Sequence, residues 1–546
     1  MKHHLKFIII ILFGLNQTVC AQQDKKPKLV VGIIIDQMRA EYLYRFKDNY
    51  GENGFKRLMK TGFNVKNTHY NYVPTATGPG HASVYTGTTP SNHGIVSNHW
   101  YNRDTKKIMY CAEDTTAALI DNDDAQKNTK DKTFFRSPRN QKTTTITDEL
   151  KLFTNNRAKV IGISLKDRAA IFPAGHLANA AFWYNSKNGN FITSSYYLNR
   201  LPLWLQQFNQ KKKADSLLNL VWSTALPVER YINSKADHQN FEKIFKGKQN
   251  SVFPYDLKEL RKTNGDFALL TEVPYGNTIL TALALAALKG ENLGKGAETD
   301  FLTISYSSTD YVGHNFGIRS KEIEDTYVRM DQEIALLLNA LDTHLGKNEY
   351  TLFLTSDHAG SDHPRFLQAN NLPGGFYHPK AIKEKLNSHL SKEFGPNKYI
   401  AYMDKTQIYF RETDTSKEDV LEASVKFLQS IDGIREAFIP GDPEWNLDNS
   451  TLSTFIKNTY NPAQSGDIIY HTYSGWMEEL PFGTTHGTAF NSDTHVPLLW
   501  FGNGITRGET IKLHSITQVA PTLSFLLNIP LANASNPQPI EEIFER

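Results

Sequence analysis

The segment KLVVGIII, residues 28–35, decides the fold of this chain. It is a continuous apolar run with the length of one strand, and it ends at Asp36. A run of this kind is typical of a strand that is buried on both faces, as in the centre of a parallel sheet. Further segments of the same kind are RAKVIGISL (157–165), DFLTISY (300–306), YTLFLTS (350–356) and HVPLLWFG (495–502).

Segments that we interpret as helices lie between these strands, at residues 148–153, 278–288, 321–345 and 516–527. A chain that alternates strands with helices is typical of the α/β class, and we predict a mostly parallel central sheet flanked by helices on both faces. Residues 175–270 and 365–475 break the alternation. We interpret them as insertions that add cap elements to a single catalytic domain over residues 22–546.

The first 21 residues have the pattern of a secretory signal peptide: a basic start, the apolar run FIIIILFGL and small residues before a cleavage site after Ala21. We therefore expect export to the periplasm or secretion. Cys20 raises the alternative of a lipoprotein, but the preceding residues QTV lack the usual leucine. No segment is long enough for a membrane span. Cleavage would leave Cys111 as the only cysteine, which excludes a disulfide within the chain.

The overall charge gives no sign of a nucleic-acid partner. The chain has 60 Lys and Arg against 57 Asp and Glu, with a formal net charge of +3. Its 40% hydrophobic and 21% charged residues are typical of a globular protein. Because no basic patch stands out, we expect small-molecule substrates rather than nucleic acid.

Polar residues with the chemistry of a metal or phosphate site follow the predicted strands. In open α/β sheets, ligands bind beyond the carboxyl ends of the strands, so these residues are candidates for one shared site. Each of them alone has a structural interpretation as a turn, cap or surface residue. The residues are Asp36, Lys166, Arg168, Asp310, His314, Asp357, His358 and, in the loop GTTHGT, His486.

The aspartates and histidines of this set suit zinc, which binds carboxylate oxygen and imidazole nitrogen. Six ligands are too many for one tetrahedral catalytic site, but they suit two sites with three ligands each, as in phosphatases with paired metals. Lys166 and Arg168 are two residues apart, so in an extended chain both would point to the same side, with Asp167 pointing away. Their cations would hold phosphate oxygens.

The stretch TATGPGHAS, residues 75–83, follows a further predicted strand over residues 63–73 and has the pattern of a turn that enters a helix. A helix N-terminus directs backbone N–H groups at an anion. Thr77 is then either a nucleophile activated by a metal or a plain N-cap. The stretch alone does not decide between the two.

Several motifs together resemble the alkaline phosphatase superfamily, and in particular the PafA-type bacterial alkaline phosphatases that use a threonine nucleophile. The resemblance extends over nearly the whole chain, and no single motif would be specific without the others. The motifs are VVGIIIDQMR, TGPGHASVYTG, HGIVSNHW, SLKDRAA, FITSSYY, SSTDYVGHNFG, TSDHAG and PFGTTHGTAF.

The resemblance implies a role for each matching residue. Thr77 matches the nucleophile that is phosphorylated and that also contacts metal. Asn98 matches an amide that contacts phosphate, beside Lys166 and Arg168. Two zinc ions are implied as cofactors: one activates the nucleophile, and the other stabilises the leaving oxygen and supplies hydroxide. Their matching ligands are Asp36, Asp357 and His358 for the first, and Asp310, His314 and His486 for the second.

The resemblance thus implies an exported, monomeric alkaline phosphatase that hydrolyses phosphate monoesters, with weak phosphodiesterase activity. A sulfatase is disfavoured, because position 77 holds neither Cys nor Ser and position 81 is not Arg. Nucleotide pyrophosphatases lack the Lys/Arg pair. A non-catalytic metal or phosphate binder would have lost the nucleophile or a ligand. For His81, His93, Trp100 and Tyr101 we predict structural packing.

Overall fold

The computed structural model describes residues 26–122, 135–442 and 451–544. The predicted signal peptide, residues 1–21, lies outside the described residues. Within them, no helix combines the length and the apolar character that crossing a membrane would need.

Within the described residues, the strands form one large sheet and four small ones. Their bounds are β1 (Leu29–Ile35), β2 (Phe63–His69), β3 (His99–Asn102), β4 (Lys107–Tyr110), β5 (Leu119–Ile120), β6 (Val160–Ser164), β7 (Ala180–Asn185), β8 (Asn190–Ser194), β9 (Val221–Trp222), β10 (Tyr255–Asp256), β11 (Asp300–Tyr306), β12 (Tyr350–Thr355), β13 (Gly375–Tyr377), β14 (Ile400–Met403), β15 (Gln407–Phe410), β16 (Ile434–Phe438), β17 (Ile468–Thr472), β18 (Trp476–Glu478), β19 (His495–Val496), β20 (Leu499–Gly502) and β21 (Gly508–Ser515).

The helices lie between these strands. Their bounds are α1 (Tyr42–Arg45), α2 (Phe55–Thr61), α3 (Thr77–Thr86), α4 (Pro90–His93), α5 (Ile146–Phe153), α6 (Asp167–Ala174), α7 (Leu203–Gln210), α8 (Lys213–Leu217), α9 (Leu257–Leu260), α10 (Tyr275–Gly290), α11 (Ser308–Phe316), α12 (Lys321–Leu345), α13 (Pro364–Ala369), α14 (Pro379–Phe394), α15 (Lys417–Gln429), α16 (Thr451–Thr459), α17 (Asn491–Thr494) and α18 (Val519–Leu527).

The centre of the large sheet consists of five parallel strands in the order β12-β1-β11-β6-β7. The first quoted segment forms β1, which is buried along its whole length. The predicted parallel α/β sheet is therefore confirmed. Strands at both ends of this core pair antiparallel, as β20 does with β12 and β8 with β7. The large sheet is thus mixed, with 11 strands in all.

The predicted strand over residues 495–502 is interrupted. It divides into β19 and β20 around Pro497, because proline has no N–H to donate to a neighbouring strand. Predicted helix 321–345 has those bounds as α12, and predicted helices 148–153 and 278–288 are slightly longer, as α5 and α10. Predicted helix 516–527 begins with a 3₁₀ turn at Ile516–Gln518 before α18.

Hydrophobic cores cover both faces of the sheet. Leu29, Val31 and Ile33 of β1 pack into one cluster, and Val30 and Ile34 pack into another. This alternation follows from the two-residue side-chain period of a strand. Helices therefore enclose the parallel strands from both sides and leave the carboxyl ends of these strands as the place for a site.

The two predicted insertions differ in structure. The first of them, residues 175–270, begins inside the large sheet, because β7 is one of its central parallel strands and β8 pairs antiparallel with β7. Within residues 365–475, an accessory sheet of order β14-β15-β17-β16 packs with α14 and α15 around a core of its own. The turn between β14 and β15 reaches the candidate site described next.

Candidate active site

The predicted nucleophile opens α3. Ala76 is the N-cap, with extended backbone (φ −145°, ψ 160°), and Thr77 is the first helical residue. The alternative that Thr77 is a plain N-cap is therefore wrong. Its side chain is buried at 1% exposure. The next N–H, of Gly78, donates to Asn98 Oδ1 at 2.8 Å. Thr77 thus stands where the partial positive charge of the helix favours an anion.

Asp36, Asp357 and His358 form a buried cluster that fits a cation. One ligand atom from each lies within 4.8 Å of the other two. His358 Nε2 is 3.5 Å from Asp36 Oδ1 and 3.5 Å from Asp357 Oδ2. These three atoms are buried and have no hydrogen-bond partner among the described residues. Because unpaired buried charges are costly, a metal ion suits this donor set.

A second group of ligand atoms converges on Asp310. Its Oδ1 atom lies 3.1 Å from His314 Nε2 and 3.8 Å from His486 Nε2. The group in which all ligand atoms lie within 4.8 Å of one another is Asp310, His358 and His486. His358 and His486 have stacked rings with centroids 3.5 Å apart. The two clusters are therefore neighbours, and His358 lies between them.

All three candidate histidine ligands use Nδ1 in the same way. The Nδ1 atom of His314 donates to the Thr484 carbonyl at 2.7 Å, and that of His358 to the Ala359 carbonyl at 2.9 Å. His486 Nδ1 donates to the Thr75 carbonyl at 2.7 Å. Each bond directs the Nε2 lone pair toward the carboxylates, as metal-binding histidines require. Burial also lowers the pKa of His358 and of His486, which favours neutral imidazole.

Lys166 joins the two clusters. Its Nζ lies 2.7 Å from Asp36 Oδ2 and 2.6 Å from Asp310 Oδ2. Burial opposes the charged form of Lys166, but the two carboxylates outweigh it and raise its pKa. At Asp36 burial dominates and raises the pKa. Burial also raises the pKa of Asp310, but the neighbouring His314 and Lys166 outweigh burial, so the pKa of Asp310 is lowered.

The backbone at the Lys/Arg pair is not the extended chain that we expected. Lys166 is the N-cap of α6, and the helix begins at Asp167, because the strand before it has already ended at Ser164. The opposite orientation predicted for Asp167 depended on an extended chain. In the structure Asp167 Oδ1 accepts from the Tyr110 hydroxyl, which also accepts from Arg168, and Asp167 Oδ2 accepts from Arg136 Nε at 2.5 Å. Arg168 Nη1 donates to the hydroxyl of Tyr110 at 3.1 Å.

Two cavities meet at this site and share His99 and Arg168. The smaller one has a volume of about 230 Å³. The larger one, of about 850 Å³, is lined by Lys166, Asp167 and Arg168. Lys166, Asp36, Asp357 and His358 do not line the smaller cavity. The predicted site residues that do line it are Thr77, Asn98, Arg168, Asp310, His314 and His486.

Sequence reasoning missed two residues that support the clusters. Gln37 Nε2 donates to Asp310 Oδ1 at 2.7 Å, and the Gln37 N–H donates to Asp357 Oδ1 at 3.2 Å. Its place directly after Asp36 was the only signal. His81 Nδ1 donates to the Thr77 carbonyl at 2.8 Å and lies 3.4 Å from Asp357 Oδ2. His81 is thus fully buried packing, as predicted, but it also links the nucleophile helix to a metal cluster.

The other residues near these motifs are structural. Trp100 and Tyr101 are buried in a core cluster together with Cys111, which is a free thiol. His93 is fully buried, with Nε2 2.9 Å from Ser83 Oγ. Gly80 lets α3 lie against the Asp357 backbone, since a Cβ at this position would clash with the Asp357 carbonyl.

Two carboxylate–histidine clusters beside a threonine at a helix start, all at the ends of a central sheet, are typical of the alkaline phosphatase superfamily. Comparisons with known proteins lead to the same class. Residues 30–477 match the family model described as type I phosphodiesterase / nucleotide pyrophosphatase. The chain belongs to this family.

The similarity to individual relatives extends over the full length. The chain is 40% identical to "Alkaline phosphatase PafA" of Elizabethkingia meningoseptica, covering 98% of both chains. It is 39% identical to a protein of Myroides odoratus named "Calcium-transporting ATPase", covering 97% of this chain and 96% of the relative. A crystal structure of wild-type alkaline phosphatase PafA superposes with a TM-score of 0.91 at 38% identity, covering 95% of this chain and 99% of the other.

Proposed function

We propose that this chain is a zinc-dependent alkaline phosphatase that hydrolyses small-molecule phosphate monoesters through a phosphorylated Thr77. The observation that carries the proposal is the pair of adjacent carboxylate–histidine clusters, with unpartnered buried ligand atoms, beside a threonine at a helix N-terminus. The relatives that are named alkaline phosphatases support the same activity.

The residues present fit two zinc ions. Asp36, Asp357 and His358 would hold one of them. Asp310, His314 and His486 would hold the other, with His358 close enough to contribute. Zinc supplies a Lewis acid that lowers the pKa of a bound hydroxyl or water and neutralises charge on a leaving oxygen.

The chain's own residues then bind and orient the phosphate. Thr77 Oγ is the nucleophile, and the start of α3 offers positive potential to the phosphoryl group. Arg168 provides guanidinium N–H donors at the cavity wall. Lys166 has three ammonium protons and uses two on Asp36 and Asp310, so one is left for a phosphate oxygen. Asn98 offers its amide N–H₂, since its oxygen accepts from Gly78.

The Lys/Arg pair is the reason to favour monoesters over diesters. A monoester dianion gains from two positioned cations, whereas a diester carries one negative charge less and must fit a second ester group there. The same nucleophile and metals can act on either substrate, so we expect weak phosphodiesterase activity. The family's name includes phosphodiesterases, and this preference therefore needs its own measurement.

Two further features complete the proposal. Residues 1–21 act as a signal peptide, so the enzyme is exported to the periplasm or secreted. We also propose that the enzyme works as a monomer, as the resemblance to the PafA-type alkaline phosphatases implies.

The test is to follow phosphate on the protein. With p-nitrophenyl phosphate, the wild-type chain should turn over and should give a phosphothreonine at position 77 in acid-quenched samples. Thr77→Ala should abolish both while it keeps bound zinc. Thr86→Ala, at the other end of α3, is the matched control and should still form the phosphoenzyme. Unchanged turnover by Thr77→Ala would contradict the assignment of the nucleophile.

A further inference from the structure

The accessory sheet contributes directly to the Thr77 cavity. The turn between β14 and β15 places Asp404 and Lys405 on the wall of the smaller cavity, beside His314 and His486. Two hydrogen bonds to Asp404 hold this turn in place. Ser97 Oγ donates to Asp404 Oδ2 at 2.7 Å, and the Tyr470 hydroxyl donates to the Asp404 carbonyl at 2.8 Å. The two side chains are therefore held at the cavity by the fold and do not depend on a loose loop.

Among the described residues, no carboxylate lies within ion-pair distance of the Lys405 ammonium. Its Nζ donates to Thr485 Oγ1 at 2.6 Å. Asp404, the neighbouring carboxylate, does not pair with this ammonium; it accepts instead from Ser97 and from the backbone N–H of Lys405. A half-buried ammonium with only a hydroxyl partner has donors available for an anion.

The position of Lys405 separates it from the residues that hold the transferred phosphate. Arg168 is bound to Tyr110 on one wall of the cavity. Lys405 is bound to Thr485, the neighbour of His486, on the wall that carries the cluster around Asp310. In an in-line displacement the leaving group departs opposite the nucleophile. On the proposed function, the Asp310 cluster is the leaving-group side, so Lys405 faces the leaving group.

We propose that Lys405 recognises a phosphate on the leaving group, so that the site favours nucleoside diphosphates and similar phosphoanhydrides over esters with a neutral leaving group. This inference rests on the proposed function. With a nucleoside diphosphate, the bond from Thr77 Oγ to the terminal phosphorus forms as the bond to the bridging oxygen breaks. That oxygen keeps the electron pair and leaves on the nucleoside monophosphate. Water then cleaves the Oγ–P bond, so that phosphate is released and the threonine hydroxyl is restored.

The test compares ADP, whose leaving group AMP carries a phosphate, with AMP, whose leaving group is neutral adenosine. The kcat/KM of the zinc-loaded full chain is measured on both substrates for the wild type, Lys405→Met and Lys405→Arg. Loss of one hydrogen bond to a charged group should lower the ADP/AMP ratio of kcat/KM about tenfold in Lys405→Met. Lys405→Arg, which keeps the charge, should restore most of the ratio.

Lys398→Met is the matched control, because Lys398 is exposed on the same accessory unit and outside the cavity. It makes the same change of charge and should keep the wild-type ratio. An unchanged ratio in Lys405→Met, or an equal loss in Lys398→Met, overturns the inference. If Lys405→Met does not fold, Lys405→Gln replaces it, with the same expected loss of the ADP/AMP ratio, and an unchanged ratio in Lys405→Gln overturns the inference. Failure of the wild type on AMP and p-nitrophenyl phosphate would instead overturn the proposed function.

Discussion

The backbone N–H of Gly78 donates to Oδ1 of Asn98 at 2.8 Å, across 20 residues of sequence. This one bond satisfies a free donor of the first helical turn and turns the amide of Asn98 toward the start of α3. The loop that carries Asn98 is thereby attached to Gly78, the residue next to Thr77, and Asn98 and Thr77 line the same cavity.

We predict that Asn98→Asp and Asn98→Ala both lower kcat/KM for p-nitrophenyl phosphate by about 10- to 100-fold, the effect of losing one hydrogen bond to a charged group. Aspartate keeps an acceptor for Gly78 but cannot donate to phosphate. Thermal stability should therefore fall more in Asn98→Ala than in Asn98→Asp. Full activity in Asn98→Asp would rule out a phosphate contact through this amide.

Arg168 allows a cleaner test of substrate preference than Lys166 does. Arg168 bonds to Tyr110 and to no candidate metal ligand, whereas Lys166 contacts Asp36 and Asp310. We predict that Arg168→Ala lowers kcat/KM for p-nitrophenyl phosphate at least about tenfold more than for its bis-ester, because the dianion loses more. The exposed Arg200 provides the control, and Arg200→Ala should affect neither substrate.

Lys166→Ala should have a second effect besides reduced monoester hydrolysis. It removes the cation from two buried carboxylates, so zinc content measured by mass spectrometry is expected to change together with kcat/KM. The double variant Lys166→Ala with Arg168→Ala should lose monoester hydrolysis far more than diester hydrolysis. Equal losses on the two substrates would remove the argument for phosphate recognition by this pair.

Removal of metal should inactivate and destabilise the chain. The site contains three buried aspartates. Lys166 is the cation that contacts two of them when no metal is bound. We expect EDTA to abolish activity and zinc to restore it. At a free zinc concentration of about a thousand times Kd, the zinc-bound chain should gain about 4 kcal/mol of stability per site. His486→Gln should bind about one metal ion less per chain, because it removes a ligand of one cluster. Full activity of the stripped protein would exclude a metal mechanism.

A buried carboxyl pair away from the site should make stability depend on pH. Burial raises the pKa of Glu242 to about 7. Burial and the nearby charge of Glu242 raise the pKa of Glu322. Glu242 Oε2 accepts from Ser251 at 2.7 Å, and Oε1 has no hydrogen-bond partner among the described residues.

The sign follows from which state holds the proton. The folded chain keeps Glu242 protonated above the pKa of the unfolded chain, so stability is lost as pH rises from the ordinary glutamate pKa of 4.5 to about 7. Glu242→Gln should remove this loss and raise the free energy of unfolding by about 1–3 kcal/mol near pH 8, with little effect near pH 5. Chemical unfolding at the two pH values measures it. Equal effects at both would show that the carboxyl does not titrate in this window.

Much of the fold was predictable, because the patterns that indicate its strands and helices lie within short segments of sequence. The apolar run of β1 and the helical pattern of α12 are properties of neighbouring residues, and both elements have the predicted character. The interruption at Pro497 and the antiparallel pairing of β20 with β12 were missed. Strand direction depends on how the chain returns to the sheet, and a short apolar run contains no information about it.

The chemistry of the site was predictable as a set of residue types, since aspartate, histidine and lysine after strands indicate metal and phosphate binding. Which of their atoms come into contact was not predictable from the sequence. Lys166 lies 144 residues from Asp310 and 130 from Asp36, and only the folded sheet brings the three together. The extended chain expected around Lys166 became the start of α6 instead.

The sequence by itself indicated a mostly parallel α/β sheet, the candidate ligands and, through the resemblance, Thr77 as the candidate nucleophile. Tertiary structure alone decided that His358 lies between two clusters, that backbone carbonyls set the three histidine tautomers, and that Lys405 of the accessory sheet reaches the cavity. The physical reason is the distance along the sequence over which each kind of interaction acts. Periodicity and helix entry act over a few neighbouring residues, whereas a site forms from side chains that only the packing of distant segments brings within contact.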